Sequence, residues 1–470
     1  MPDERMLEVA GDRFITRGGQ PVTFHGVGLG GWLNMENFIV GFPSTEALNR
    51  RALREVLGPQ LAQYFFDRFM EVFFTDDDAA YIASLGFNVV RIPVHYRHLE
   101  DDREPFKLLE AGFERIDRAI SALAKNGVYT ILDLHVLPGL QNNEWHCDNP
   151  THHAGFWDHP HFHERVLNIW RALANRYRDN AWVAGYEPIN EPGDPTGEVV
   201  ERFFPQLLTA IREVDPDHIL FLKGNAFGQE FGFYREPMPN TVFIAFDYAI
   251  PGAAGSGEYP GESRGHYYDA AELEQTFLSL TQQARSTGTP IWMGEFGPVY
   301  TGEDAIDESR YRVLNDQLSI YGRHRASWSI WTYKDINVQG LVYVSPESPY
   351  VTRIQHLIQK KARLAVDAWG HDDSGIRDIL DPVEKRFRDE FPGYPHSEWH
   401  INRLVRHILL AEPLIAEYAE CFRGISKGGI DEVMSSFELA NCLPRERLIA
   451  NLQAAMKEDA SSTLSRVSSP

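Results

Sequence analysis

The chain has 470 residues, enough for one α/β barrel of about 250 residues or more together with an appendage. Its 45 basic against 67 acidic residues give a formal charge of −22, which repels nucleic acid and anionic membrane surfaces and suits an uncharged partner such as a sugar. Cys147, Cys421 and Cys442 are too few and too scattered for a disulfide framework; with no apolar signal core near the start, no span-length apolar run and no Asn-x-Ser/Thr acceptor, a cytoplasmic protein is expected.

Residues 7–21 alternate weakly and hold Gly18-Gly19-Gln20-Pro21, which predicts a small hairpin capping the bottom of a barrel. A first strand follows over 22–27. Gly26-Val27-Gly28-Leu29-Gly30-Gly31 spells the dinucleotide fingerprint, yet no amphipathic helix comes after it, so these glycines are read as letting a loop pass close to a ligand. Helices are predicted over 45–57, 59–73 and 76–85. The second strand, 87–94, carries Arg91 inside an apolar run, a charge that demands a buried partner. After a helix over 113–125, the third strand (128–135) closes on His135. The long loop 136–160 is rich in Trp145, His146, His152, His153, Trp157 and His159. Metal-ligand spacing of the His-Glu-x-x-His kind is absent, so the tryptophans are expected to stack on sugar rings and the imidazoles to bond hydroxyls.

The fourth strand, 182–186, feeds Asn190-Glu191-Pro192 and presents a carboxylate at the carboxyl end of a core strand. Strands five and six, 218–222 and 241–246, precede Asp247-Tyr248 and a Gly-rich stretch, 249–266, expected to be a mobile loop long enough for a lid. The stretch 290–297 repeats the strand-then-glutamate design around Glu295, and the last strand, 326–331, ends on Trp331. Eight strands alternating with helices predict an α/β fold, a (β/α)8 TIM barrel with its site on the carboxyl face. The expected organisation is a cap over 1–21, the barrel over 22–368, a helical extension over 369–458 and a disordered Ser-rich tail over 459–470. The extension is read as covering the barrel's flank or making a homo-oligomer contact.

Two strand-end glutamates suggest the acid/base pair that splits a glycosidic bond. Asn190-Glu191-Pro192 after one strand and Glu295 on a later one resemble glycoside hydrolase family 5, the cellulase-like retaining β-glycosidases, over about residues 22–331. The resemblance implies Glu191 as acid/base and Glu295 as nucleophile, with Asn190 on the sugar 2-hydroxyl. It further implies Arg91 and Tyr248 keeping Glu295 ionised, His135 in the substrate site and Trp331 as the platform under the −1 sugar. Gly30-Gly31-Trp32-Leu33 up to Glu36 is similar to the exo-β-1,3-glucanase branch, which makes Glu36 a binder of terminal-sugar hydroxyls; a loop glutamate paired to a nearby base is the other reading. The chain departs from the family at Phe246, where a histidine that helps position the acid/base region is usual. The resemblance implies an exo-acting β-glucosidase or β-mannosidase acting on short β-linked oligosaccharides or glycosides, without metal or cofactor. An endo-β-glucanase or mannanase and a non-catalytic sugar-binding barrel are the alternatives.

Overall fold

The computed structural model describes residues 3–234, 238–248, 258–263, 266–366, 373–394 and 397–467. Eight parallel strands close into a barrel: β1 (His25–Gly28), β2 (Val89–His95), β3 (Tyr129–Val136), β4 (Val183–Glu187), β5 (Ile219–Leu222), β6 (Thr241–Asp247), β7 (Trp292–Phe296) and β8 (Ser327–Ile330). Neighbours in sequence are neighbours in space, and β8 pairs with β1 through Trp328 and His25. Parallel pairing requires a crossover between strands, and amphipathic helices such as Glu110–Lys125 and Pro160–Tyr177 supply it.

Side chains two apart on a strand share a face, so each strand delivers an alternating set into the barrel. The lower layer is apolar: Val89, Ile131, Ile219, Phe221, Val242, Ile244 and Trp292 form a cluster of their own. The N-terminal strands Leu7–Ala10, Arg13–Thr16 and Pro21–Val22 form a three-stranded antiparallel sheet, and Leu7 and Phe14 join that cluster from below, with Phe14 4.9 Å from Phe24. Two residues further along the same strands the chemistry switches. Val89 is followed by Arg91, Ile131 by Asp133 and His135, and Phe221 by Lys223, so the upper layer is charged.

The C-terminal helices Arg377–Glu390, Ala411–Glu420, Lys427–Met434 and Glu446–Val467 cover the flank. Phe422 lies 5.0 Å from Phe65 and Phe437 lies 5.1 Å from Phe69, so this segment shares the main core. A buried ammonium ties the two parts: Lys334 Nζ donates to Asp78 Oδ1 at 2.7 Å, Phe73 O at 2.8 Å and Phe437 O at 2.7 Å.

Two expectations are corrected. The last helix continues to Val467, past residue 459 where the Ser-rich composition predicts a disordered tail. Asp459 anchors that helix to the barrel, its Oδ2 3.0 Å from Nε2 of His25, and serine costs a helix only a few tenths of a kcal/mol per residue, roughly. In the predicted lid, Gly261–Ser263 and His266–Tyr268 pair as an antiparallel hairpin; residues 249–257 and 264–265 lie outside the described residues.

Candidate active site

Arg91 is the hub of the charged layer. Fully buried on β2, it donates from Nε to Glu187 Oε2 at 2.6 Å and from Nη2 to Glu187 Oε1 at 2.8 Å, meets Asp133 Oδ2 at 2.8 Å, and donates from Nη1 to Glu295. Nη2 also reaches Asn190 Oδ1 at 3.1 Å, so one guanidinium links β3, β4, β7 and the loop bearing Glu191. The partner that the sequence demanded is therefore three carboxylates. Sharing one cation leaves each under-compensated: burial raises Asp133, Glu187 and Glu295 to about 7 in each case, against the pull of Arg91. The expectation that Arg91 and Tyr248 keep Glu295 ionised is corrected to this extent. Arg91 does lower Glu295, but burial outweighs it, and the charge of Glu191 adds to the rise.

Glu191 sits in the left-handed region at φ 43°, a conformation that costs a glutamate energy and persists only when neighbours enforce it. The loop after β3 is what enforces it. Gln141 Nε2 donates to Asn190 O at 2.9 Å and to His135 O at 2.6 Å, and Asn142 Nδ2 donates to Glu191 O at 3.0 Å. The same loop brings His146 Nε2 to 2.8 Å from Glu191 Oε2. Burial opposes charge on both partners, yet Glu191 is held below the usual carboxylate range by His146, and His146 is raised by Glu191. The loop is pinned in turn by Asp148, which accepts from Ala47 N at 2.7 Å and Arg97 Nη2 at 2.8 Å and lies 3.0 Å from Nε2 of His95.

The remaining expected residues line the same mouth. His135 and Trp331 stack at 6.0 Å with planes 7° apart. His135 is neutral, pushed down to about 3 by burial and then by Arg91; its Nδ1 is 2.6 Å from Asp133 Oδ2 and its Nε2 is 3.3 Å from Asn190 Nδ2. Glu36 is buried at the start of the one-turn helix Asn37–Val40, and its charge is felt by both His146 and Tyr248. Burial drives the Tyr248 phenol well up, with Glu295, Glu36 and Glu191 adding to it in that order. Gly28 and Gly30 of the apparent fingerprint have a steric explanation. A Cβ on Gly28 would meet the Trp331 ring at 2.5 Å, and one on Gly30 would meet the same indole.

The structure thus gathers Glu36, Arg91, His135, Asn190, Glu191, Tyr248, Glu295 and Trp331 at one end of the barrel. Both glutamates keep an opening, with side chains 17% and 9% exposed for Glu191 and Glu295. The loop tryptophans are not free platforms. Trp157 is buried and donates from Nε1 to Gln141 O at 2.7 Å, and Trp145 is buried 6.4 Å from His407 of the C-terminal segment. Asp133, Glu187, Gln141, the pairing of His146 with Glu191, and Lys223 went unpredicted. For Asp133 and Glu187 a signal was present: each is a carboxylate inside an otherwise buried strand. Among the described residues, no group of three or more His, Cys, Asp or Glu is placed to hold a metal ion.

The profile of the cellulase family, glycosyl hydrolase family 5, matches residues 62–337. A β-xylosidase of Phanerodontia chrysosporium is 43% identical over 461 residues, which cover 94% of this chain and 96% of that protein. A probable glucan 1,3-β-glucosidase A of Aspergillus clavatus is 33% identical over 208 residues, 42% of this chain and 48% of that protein. A crystal structure of an endogalactoceramidase superposes with a TM-score of 0.51 over 71% of this chain and 75% of that chain at 19% identity, a likeness of fold alone.

Proposed function

The chain belongs to glycoside hydrolase family 5, and from that premise we propose that it is an exo-acting retaining β-glycosidase working by double displacement with Glu295 as nucleophile and Glu191 as acid/base. The observation that carries this reading is the Arg91 hub. One buried guanidinium contacts Glu295 directly and reaches Asn190, the residue next to Glu191, so the two acids share one rigid frame. Glu295 attacks the anomeric carbon as Glu191 gives a proton to the departing oxygen; Glu191 then takes a proton from the water that releases the sugar. The proton that Glu191 delivers is held jointly with His146, 2.8 Å away. This pairing supplies the support that a histidine at 246 gives elsewhere in the family. Asn190 binds the 2-hydroxyl, Trp331 carries the sugar face, and Glu36 and His135 bind hydroxyls on the β1 and β3 side.

An exo mode is supported by the elements that bear on the loops at that side: Lys361 Nζ, on the helix Pro349–Arg363, donates to Asn37 O at 3.3 Å and Phe42 O at 3.1 Å, and His407 of the C-terminal segment stacks on Trp145. Residues 369–458 serve in this reading as a brace for the barrel, and Ile379, Val383 and Phe391 on its outer face are exposed where a second copy would dock. Because the Phanerodontia chrysosporium relative is a β-xylosidase, β-xylosides join β-glucosides and β-mannosides as substrates. A xyloside is a glucoside lacking the hydroxymethyl group at C5, so one glycone pocket serves both unless its wall demands that group. Among the described residues no helix is long and apolar enough to cross a membrane, and the three free cysteines suit a reducing, cytoplasmic setting.

The test is proton NMR of the first product formed from nitrophenyl β-xyloside, β-glucoside and β-mannoside. The β-anomer appearing first on at least one substrate is expected. The α-anomer first would replace this mechanism by inversion, and cleavage only inside polymers would replace the exo mode by an endoglucanase. Sugar binding with no cleavage of any substrate would leave a lectin.

A further inference from the structure

Just past β5, Lys223 enters the charged layer from the side of the ring opposite β1. It is 1% exposed, its Nζ stands 2.8 Å from the centroid of the Phe246 ring, and that Nζ hydrogen-bonds to nothing among the described residues. Gly228, at φ 93°, makes room for it: a Cβ there would meet Nζ at 2.8 Å. The Lys223 carbonyl is fixed by the Tyr234 hydroxyl at 3.0 Å. A lysine kept for packing alone runs its stem along apolar surface and sends its ammonium to water. Here the ammonium lies inside, on an aromatic face.

The groups whose charge reaches it lie on β2, β3, β4, β7 and the loop after β4, and Cζ of Arg91 lies 5.3 Å from the centroid of the same Phe246 ring. They are Arg91 on β2, Asp133 on β3, Glu187 on β4, Glu191 in the following loop and Glu295 on β7, with the Phe246 ring of β6 beneath. Each of the four carboxylates is lowered by the charge of Lys223. Arg91 alone cannot balance them, because Asp133, Glu187 and Glu295 already divide it.

We propose that Lys223 is a positioning residue that acts through its charge, setting the ionisation of Glu295 and Glu191 without touching the sugar. The proposal rests on Glu191 and Glu295 being the reacting pair. Burial brings the Lys223 amine down to about 7, so it is a cation on the acid side of neutrality and loses its proton above it. Its influence therefore falls on the acid limb of the pH profile and fades on the alkaline limb, where the amine is neutral.

The experiment compares the pH dependence of kcat/KM for the wild type, Lys223→Met and Lys223→Arg on whichever nitrophenyl β-glycoside the wild type cleaves. In Lys223→Met the acid limb moves up by about one pH unit while the alkaline limb moves by less than about half of that. Lys223→Arg, which keeps the charge, retains the wild-type acid limb. Limbs that coincide in Lys223→Met and wild type overturn the proposal whatever happens to kcat, and so does an equal displacement of both. Should Lys223→Met fail to fold, carbon-13 NMR of the lysine ε-carbons in the wild type gives the answer: one lysine titrating near neutrality supports the proposal, and all of them titrating near about 10.4 overturns it. Azide rescue of Glu191→Ala, which does not involve Lys223, reports on the assignment of the acids, so a failure there is distinguishable from a failure here.

Discussion

Replacing Glu295 by glutamine is expected to destroy activity and, in the same stroke, to stabilise the protein at neutral and alkaline pH. The side chain is 9% exposed, and burial lifts its carboxyl group from 4.5 to about 7 even with the pull of Arg91 included. A carboxyl group raised on folding favours the native state below its unfolded value of 4.5, and that contribution is lost as the pH rises through about 7. At pH 8 the ionised group costs the fold about 3 kcal/mol, and at pH 5 less than about 1 kcal/mol. Glutamine keeps the shape and an oxygen for Arg91 Nη1 to bond, but carries no charge to bury. Urea unfolding of wild type and Glu295→Gln between pH 5 and 8 therefore shows a gap in favour of the variant that opens with pH, accompanied by a Tm gain of roughly 3–6 °C at the alkaline end. Turnover falls by at least about 1,000-fold. A variant no more stable than wild type at pH 8, or one whose advantage is the same at pH 5, would refute the electrostatic account of this site.

Glu191→Ala should retain turnover only on nitrophenyl glycosides with good leaving groups, and added azide should restore rate while yielding a β-glycosyl azide, read by thin-layer chromatography and NMR. His146→Ala removes the cation that holds Glu191 down; the limb of the pH profile that follows Glu191 should move to higher pH while kcat drops about 10- to 100-fold on poor leaving groups and less on nitrophenol, measured across an aryl-glycoside series. Arg91→Met strands Asp133, Glu187 and Glu295 without their shared cation, and a loss of about 3–5 kcal/mol or failure to accumulate folded protein is expected by circular dichroism and soluble yield. Asp148→Asn loosens the clamp that Arg97, His95 and Ala47 place on the His146 loop, and should lower kcat more than it raises KM.

Much of this was legible from the chain because local rules sufficed. Each barrel strand is a short apolar run bounded by polar or turn residues, and Asn190-Glu191-Pro192, Glu295 and Trp331 stand where such runs stop. The polar partners were harder for a physical reason. His146 meets Glu191 from 45 positions away through a loop whose path depends on Gln141, Asn142 and Asp148, and nothing in the spacing of histidines encodes that path. Trp157 and Trp145 were misread because an aromatic in a polar loop suits a cleft wall and a loop-internal core equally well, and only their burial decides. The helix running past residue 459 shows composition yielding to a tertiary anchor, the contact between Asp459 and His25.

The shared core of barrel and C-terminal helices bears on how the protein is made. Phe65 and Phe69 wait for Phe422 and Phe437, and Lys334 waits for the carbonyl of Phe437. While residues beyond about 400 are still inside the ribosome, the nascent barrel shows an uncovered aromatic face and an ammonium short of one acceptor. The mouth is braced only once these helices have joined the barrel, and chaperones that shield apolar surface have their task on this flank, far from where the sugar is cut.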